Sequence, residues 1–134
     1  MNIKKYTALF HDGEVIEIKN FKKQIELTME SAEVDPDDIK DEIILSMDDT
    51  IKGKLYIKNI NKIIINEKPV AELIKKKYDM AKIFDFEINN KEIQLSIIWK
   101  NYPPKSDVED FSKIEIEADK IWWENIPDLV DPFE

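Results

Sequence analysis

His11 is the only histidine of the chain, and it stands directly before Asp12 and Gly13. A histidine beside an aspartate can transfer a proton or ligate a metal ion, and this pair is the core of one metal phosphohydrolase signature. Such sites need further histidines, which this chain lacks, and no HExxH or G-x-S-x-G motif occurs. The sequence therefore predicts no catalytic residue, no metal site and no cofactor. A hydrolase that uses His11 with carboxylates ranks last among the functions considered.

The alternative role of this segment is structural. An Asp-Gly pair between two β-prone runs, here residues 3–10 and 14–19, is typical of a hairpin turn. We therefore expect Asp12 and Gly13 to form a turn. His11 is then a polar group at a strand end, which caps, hydrogen-bonds or packs against its surroundings.

Other chemical motifs fail at their diagnostic positions. The stretch DPDDIKDEIILS begins like a calcium-binding EF-hand loop, but Lys40 replaces the glycine and Ser46 replaces the final glutamate. Two glycines are too few for a phosphate-binding loop, and the absence of cysteine excludes thiolate chemistry and zinc–cysteine sites. All 20 cationic residues are lysines, so sites that depend on the bidentate arginine fork are excluded as well.

Negative charge is concentrated in two segments. Residues 26–49 carry ten acidic residues and one lysine, and residues 107–134 carry ten and two, within a chain of net charge −9. If the two segments meet, they form one strongly negative face, which is either a solvated surface or a binding face for a basic protein. Direct binding of nucleic acid needs a phosphate-neutralising patch, which this charge balance opposes.

The Trp122–Trp123 pair is the second candidate for binding. Adjacent residues of a strand point to opposite sides, so we expect one indole in the core and the other on the surface. An exposed tryptophan among acids has the anatomy of a protein-binding hot spot unless the C-terminal tail covers it, and a sugar-stacking platform is the weaker alternative. The predicted partner-binding residues are Asp35, Asp37, Asp38, Asp48, Asp49, Glu115, Glu117, Asp119, Trp122, Trp123, Glu124 and Asp128.

Apolar and polar residues alternate through much of the chain, which is typical of half-buried strands. The alternation is strict in residues 25–29 and 114–119. Two further alternating runs, 84–88 and 93–99, flank the Asn-Asn pair at 89–90 and predict a hairpin.

Residues 52–66 predict another hairpin, with Asn59 and Asn61 in its turn. The clearest helical pattern follows Pro69, a residue suited to a helix start. The predicted fold class is α+β and mostly antiparallel β. It is a twisted sheet, sandwich or partly open barrel of about seven to eight strands with one short helix near residues 70–79.

The 134 residues and 43% hydrophobic content suit a single domain, residues 1–134, with an acidic, partly irregular tail over residues 126–134. Leu129 or Phe133 is expected to pack this tail on the domain. The N-terminal apolar run is too short for a signal peptide, and no other run approaches a membrane span. A cytoplasmic protein that binds no membrane is therefore predicted.

Several stretches together resemble the small immunity proteins that bacteria encode beside polymorphic or contact-dependent toxins: FHDGEVIEI, GKLYIKNINKI, IFDFEI, IQLSIIWKNY and the acidic close. The resemblance spans most of the chain as a pattern and transfers no individual residue. It implies a non-enzymatic protein that covers the active or substrate-binding surface of a toxin, and an acidic face would complement a basic toxin or nuclease domain. The alternative is a β-rich ligand-binding or structural domain, with a homodimer formed through a strand edge.

Overall fold

The computed structural model describes residues 3–39, 43–70, 80–100 and 109–130. These residues form one sheet of seven antiparallel strands, a 3-10 helix (Ile3–Phe10) and a short 3-10 turn (Pro36–Asp38). The strands are β1 (Glu14–Phe21), β2 (Gln24–Glu30), β3 (Lys52–Ile65), β4 (Lys68–Pro69), β5 (Met80–Asn89), β6 (Glu92–Lys100) and β7 (Glu109–Asn125). The prediction of a mostly antiparallel β fold is confirmed. The helix predicted near residues 70–79 lies, apart from its first residue, outside the described residues.

The sheet closes on itself. Its strand order is β2-β1-β5-β6-β7-β3-β4, and β2 also pairs with β3, so six strands form a twisted ring with the short β4 added beside β3. The pairing of β1 with β5 is short, because among the described residues its ladder consists of the single pair Glu14 and Lys82. Hydrogen bonds from Asp12 N to Ile83 O (2.9 Å) and from Ile83 N to Gly13 O (2.8 Å) extend this pairing.

Inward-facing side chains fill the ring. Along β2, β6 and β7 the buried positions alternate as predicted, and they are Ile25, Leu27, Met29, Ile93, Leu95, Ile97, Trp99, Ile114, Ile116 and Ala118. Burial of each large side chain contributes about 1.5–3 kcal/mol. The core also fixes the register of these strands, because a slip by one residue would turn every apolar side chain outward.

The prediction of a strand over residues 3–10 is wrong. This segment is the 3-10 helix, and its residues Ile3, Thr7 and Phe10 are buried. The spacing of these three residues is helical, but in a segment this short the sequence pattern fits a strand as well as a helix. Burial of Phe10 favours the helix, since its ring packs edge-on against Phe86 with the centroids 5.3 Å apart.

Asp12 and Gly13 accordingly turn the chain from this helix into β1, so the predicted hairpin is wrong although a turn is present. Asp12 has a φ of 69°, and Gly13 N donates to Phe10 O over 2.8 Å. A Cβ on Gly13 would lie 2.9 Å from the same oxygen. Close packing of the backbone therefore requires glycine at this position.

The hairpin predicted within residues 52–66 is wrong, because β3 continues as one strand of 14 residues. Asn59 has a φ of 54°, and the ladder with β7 shifts register between Ile60 and Lys62. Asn61 is therefore the extra residue of a β-bulge. The two asparagines thus lie at a bend within a continuous strand. The sequence pattern predicts a turn because asparagine tolerates left-handed backbone and is common in turns as well.

The hairpin predicted around residues 89–90 is confirmed. β5 and β6 pair along their length, and Asn90, with a φ of 55°, lies in the turn between them. The predicted alternation places Phe84 on the buried side of β5, and this is wrong. A register shift between Ile83 and Asp85 turns Phe84 outward, where it is 50% exposed.

The chain after β7 has neither helix nor strand over residues 126–130, and residues 131–134 lie outside the described residues. Leu129 is 60% exposed, which corrects the expectation that it packs on the domain. The same expectation for Phe133 falls outside the described residues. Within the part of the chain that the structure describes, none of the helices is long and apolar enough to span a membrane.

Candidate functional site

His11 is half exposed and is engaged by its own turn and by β5. Its Nδ1 donates a hydrogen bond to Phe84 O, and its ring lies edge-on to the Phe84 ring with the centroids 5.5 Å apart. Its Nε2 lies 3.7 Å from the Asp12 carboxylate, which also pairs with Lys82 Nζ at 3.2 Å. These contacts fasten the turn to β5. Within the described residues, no group of three His, Asp or Glu side chains is arranged to hold a metal ion.

The two tryptophans point to opposite sides of β7, as adjacent strand residues do. Trp123 is 4% exposed and its indole covers Gly53 of β3, where a Cβ would lie 2.7 Å from the ring. Because its ring is buried, Trp123 is not accessible to a partner, which corrects its inclusion among the predicted partner-binding residues. Trp122 is 41% exposed and stacks on Tyr56, with the centroids 5.0 Å apart and the planes 11° apart. Lys58 Nζ lies 5.0 Å from the centroid of Trp122.

Tyr56 and Glu124 form a hydrogen bond beside the exposed tryptophan, in which the Tyr56 hydroxyl donates to Glu124 Oε1 over 3.0 Å. Desolvation of its hydroxyl raises the pKa of Tyr56 above its ordinary value, and the hydrogen bond to Glu124 and the charges of Glu124 and Glu26 raise it further. The hydroxyl is therefore protonated at neutral pH and remains a donor. Glu124, one of the predicted partner-binding acids, already has an intramolecular partner.

Lysines of β3 separate the two acidic segments on the sheet. The register aligns Lys54 with Thr28 of β2 on one side and with Glu124 of β7 on the other. Further along, Lys52 lies opposite Glu30 of β2. The outer side of these three strands thus mixes positive and negative charge, and the two acidic segments do not form one negative face there.

The two acidic segments do meet at one end of β3, where the loop before this strand is hydrogen-bonded to the chain after β7. Met47 N donates to Asp128 O over 2.8 Å, and Asp128 N donates to Ser46 Oγ over 2.9 Å. We term residues 44–49 and 126–130 the loop–tail surface. Its two halves are far apart in sequence, and these hydrogen bonds join them.

Two side chains fix the loop–tail surface to the rest of the fold. Asn125 Nδ2 donates to Ile44 O over 2.8 Å, and Asn125 Oδ1 lies 3.4 Å from the donor Nε1 of the buried Trp123. The Asp128 carboxylate pairs with Lys52 Nζ at 2.6 Å. The surface is therefore held by β3 and β7 and does not depend on its own loops alone.

Five large apolar side chains are exposed on the loop–tail surface: Ile44 (65%), Met47 (53%), Ile126 (41%), Leu129 (60%) and Val130 (75%). Their acidic neighbours in the chain are Asp48, Asp49 and Asp128. Exposed apolar side chains that stand among acids on two joined segments have the composition of a binding surface, whereas a purely solvated charge run would lack the apolar residues.

The acids of this surface are predicted from the sequence, whereas its exposed apolar residues Ile44, Met47, Ile126 and Val130 are missed. The sequence does indicate that these residues are exposed, because they stand within acidic segments and lack the alternation that would bury them in a strand. Which of the apolar residues would lie together, however, depends on the pairing of β3 with β7.

The acids at residues 35–38 adjoin the loop of this surface. Val34 N donates to Asp49 O over 2.8 Å, which ties the two segments together. Asp35 Oδ1 accepts from Asp37 N over 3.0 Å and caps the 3-10 turn, where Asp37 and Asp38 are exposed. Asp35 therefore has a structural role, and the two following aspartates remain available for binding.

The other predicted acids lie elsewhere, on the opposite half of β7. Glu115 pairs with Lys113 at 3.4 Å, and Asp119 accepts a hydrogen bond from Asn61 over 3.1 Å. Glu117, between them along the strand, is exposed. These three acids are not brought together with the loop–tail surface.

Comparison of the chain with models of known protein families, with curated proteins and with solved structures returns no match.

Proposed function

We propose that this chain is a non-enzymatic acidic protein that binds a basic protein partner through the loop–tail surface. The observation that carries the proposal is the occurrence of five exposed apolar side chains and three aspartates on the two segments that meet at this end of β3. In such a surface the apolar centre supplies affinity by leaving water, and the charged rim speeds association and selects the partner.

The partner that fits best is a bacterial toxin, which makes this chain an immunity protein. The acidic balance of the chain and its pattern-level resemblance to immunity proteins support this choice. Neutralisation by such a protein requires only that a toxin surface be covered, so it needs no catalytic group. A toxin that acts on nucleic acid carries lysines and arginines at its active surface, and these would complement Asp48, Asp49 and Asp128.

The test uses the full chain and the polypeptide encoded beside it, expressed together and separately. We expect the two to copurify and the full chain to protect cells from the neighbouring polypeptide. The double variant Met47→Ser with Leu129→Ser should weaken the complex at least about tenfold by calorimetry, because it removes apolar contacts worth about 1 kcal/mol or more each. Binding should also weaken as salt is raised from about 50 to about 500 mM.

Phe21→Ser is the matched control, because Phe21 is a 48% exposed apolar residue at the far end of β1. It should bind and protect like the unmodified chain. Absence of both a complex and protection would overturn the proposal of an immunity function. Equal affinity of the double variant and the control would overturn the assignment to the loop–tail surface.

A further inference from the structure

Two lysines face each other on the outer side of the sheet beside the exposed tryptophan. Lys58 of β3 and Lys120 of β7 are direct partners in the ladder, so their side chains leave the sheet on the same side. Residues in this relation have Cβ atoms about 5 Å apart, and two like charges so placed destabilise a sheet. Among the described residues, neither ammonium group forms a salt bridge. The fold therefore leaves the positive charge of this pair without a neutralising partner.

The turn between β1 and β2 adds positive charge near this pair. Ile60 N donates to Lys23 O over 3.2 Å, which places the turn beside the part of β3 that carries Lys58. Lys22 and Lys23 are both exposed, and within the described part of the chain they form no salt bridge. This end of the sheet is thus locally basic within an acidic chain, and it attracts anions.

The stacked rings of Tyr56 and Trp122 lie directly next to the two lysines. Trp122 is two residues after Lys120, and its side chain therefore leaves the strand on the same side. The ring is 41% exposed, and Lys58 Nζ lies 5.0 Å from its centroid. The Lys58 ammonium thus rests on an aromatic ring, a weaker partner than a carboxylate at an exposed position. We term Lys58, Lys120 and Trp122 the lysine–tryptophan site.

The charges at and around this site indicate the class of ligand. A carboxylate carries one negative charge, whereas a phosphate monoester carries about 1.5 to 2 at neutral pH and can neutralise both lysines. Lysine binds phosphate as a point charge and needs no arginine fork. On the other side of the lysines, Glu26 lies opposite Tyr56 and Glu124 accepts its hydroxyl. These two acids would repel the further phosphates of a nucleic acid strand, so the site suits a ligand with a single phosphate group.

We propose that the lysine–tryptophan site binds a phosphate monoester that carries a planar ring, such as a nucleoside monophosphate. The phosphate lies between Lys58 and Lys120. The planar ring stacks on Trp122, where it takes the place of the Lys58 ammonium as that group turns to the phosphate. Stacking of this kind tolerates different bases, because every base has a π-face. The site is separate from the loop–tail surface, and the proposal does not depend on an immunity function.

Tryptophan fluorescence of the full chain, titrated with adenosine monophosphate, tests the proposal. The other two tryptophans, Trp99 and Trp123, are 1% and 4% exposed, so a stacked ligand changes chiefly the emission of Trp122. We expect saturable quenching with a dissociation constant of about 0.1–1 mM, since the site is open to solvent. Ribose 5-phosphate, which lacks the planar ring, should compete at least about fivefold more weakly.

Substitutions separate the lysine–tryptophan site from a general effect of charge. Lys120→Gln and Trp122→Ala should each raise the dissociation constant for adenosine monophosphate at least about fivefold by calorimetry, whereas Lys120→Arg should retain binding. Lys68→Gln is the matched control, because Lys68 is an exposed lysine of β4 that pairs with Ile65 at the far end of β3. It should bind like the unmodified chain, and circular dichroism should report native folding for every variant.

Thermal unfolding gives a second readout, which a purely structural role of Lys120 would not produce. Lys120→Gln removes the contact between like charges, so it should unfold at the same or a slightly higher temperature although it binds the ligand more weakly. Adenosine monophosphate at about ten times its dissociation constant should raise the unfolding temperature of the unmodified chain, and it should raise that of Lys120→Gln less.

The proposal would be overturned by an absence of binding up to about 10 mM adenosine monophosphate, or by equal affinities of Lys120→Gln and Lys68→Gln. Equal affinities for adenosine monophosphate and ribose 5-phosphate would overturn the role of Trp122. A thymidine octanucleotide that bound about a hundredfold more tightly than the monophosphate would assign the site to a nucleic acid strand, and the choice of a ligand with one phosphate would be wrong.

Discussion

Buried tryptophan N–H groups of this fold are placed where an acceptor reaches them. Trp99 Nε1 donates to Ser112 Oγ over 2.8 Å, with both residues buried. Trp123 Nε1 has Asn125 Oδ1 at 3.4 Å, and Asn125 in turn donates to Ile44 O. One side chain thus joins the core to the loop–tail surface. Among the described residues, no buried side-chain nitrogen or oxygen is without a hydrogen-bond partner.

Removal of the acceptor for Trp99 should destabilise the core. Ser112→Ala leaves the indole N–H buried and unpaired, which costs about 1–3 kcal/mol of the free energy of unfolding. Urea denaturation measures this loss. Ser96→Ala on the neighbouring strand is the control, because Ser96 lies on the outer side of β6 and its loss should change stability by less than about 0.5 kcal/mol. Equal losses for the two variants would contradict the importance of this hydrogen bond.

At the scale of elements, the sequence predicts strands well where alternation is long and unbroken. β2, β6 and the first half of β7 bury the predicted residues because one face of each is covered along its length. The failures lie where tertiary structure overrides a local pattern. A bulge after Ile83 turns Phe84 outward, and asparagines at 59 and 61 mark a bulge and not a turn. The same residue types serve both, so sequence alone does not separate them.

The candidate site is predictable in composition but not in arrangement. Its aspartates follow from the charge distribution, and the opposite orientations of Trp122 and Trp123 follow from strand geometry. The meeting of the loop with the tail depends on the pairing of β3 with β7, which joins segments about 70 residues apart in the chain. The lysines that divide the acids on the sheet are placed by the same pairing.

The bulge in β3 yields a prediction at the scale of this element. Asn59 has left-handed backbone, with a φ of 54°, so Asn59→Gly should be neutral or slightly stabilising. Asn59→Val should cost about 1–2 kcal/mol, because a β-branched residue is strained there. Thermal unfolding of both variants tests this, with Lys62→Val as the control at an exposed strand position of the same element. If Asn59→Val left the protein as stable as the control, the bulge would have relaxed without cost and the prediction would be wrong.

At the scale of the whole molecule, the long strand β7 separates the loop–tail surface from the exposed rings of Phe84 and Phe111, whose centroids lie 6.1 Å apart. Phe111 lies near its start, and the loop–tail surface follows its last residue, Asn125. The strand between them spans roughly 45 Å of backbone. A partner bound at the loop–tail surface therefore need not contact Phe84 or Phe111.

This separation predicts which substitutions affect binding of the basic partner. Leu129→Ser should weaken the complex several-fold, because it removes about 1 kcal/mol of apolar contact from the loop–tail surface. Phe111→Ser should leave the affinity unchanged, since a substitution so far from that surface is expected to act independently of it. Calorimetry with the full chain measures both affinities. If Phe111→Ser abolished partner binding, the patch formed by Phe84 and Phe111 would be the partner site, and the assignment to the loop–tail surface would be wrong.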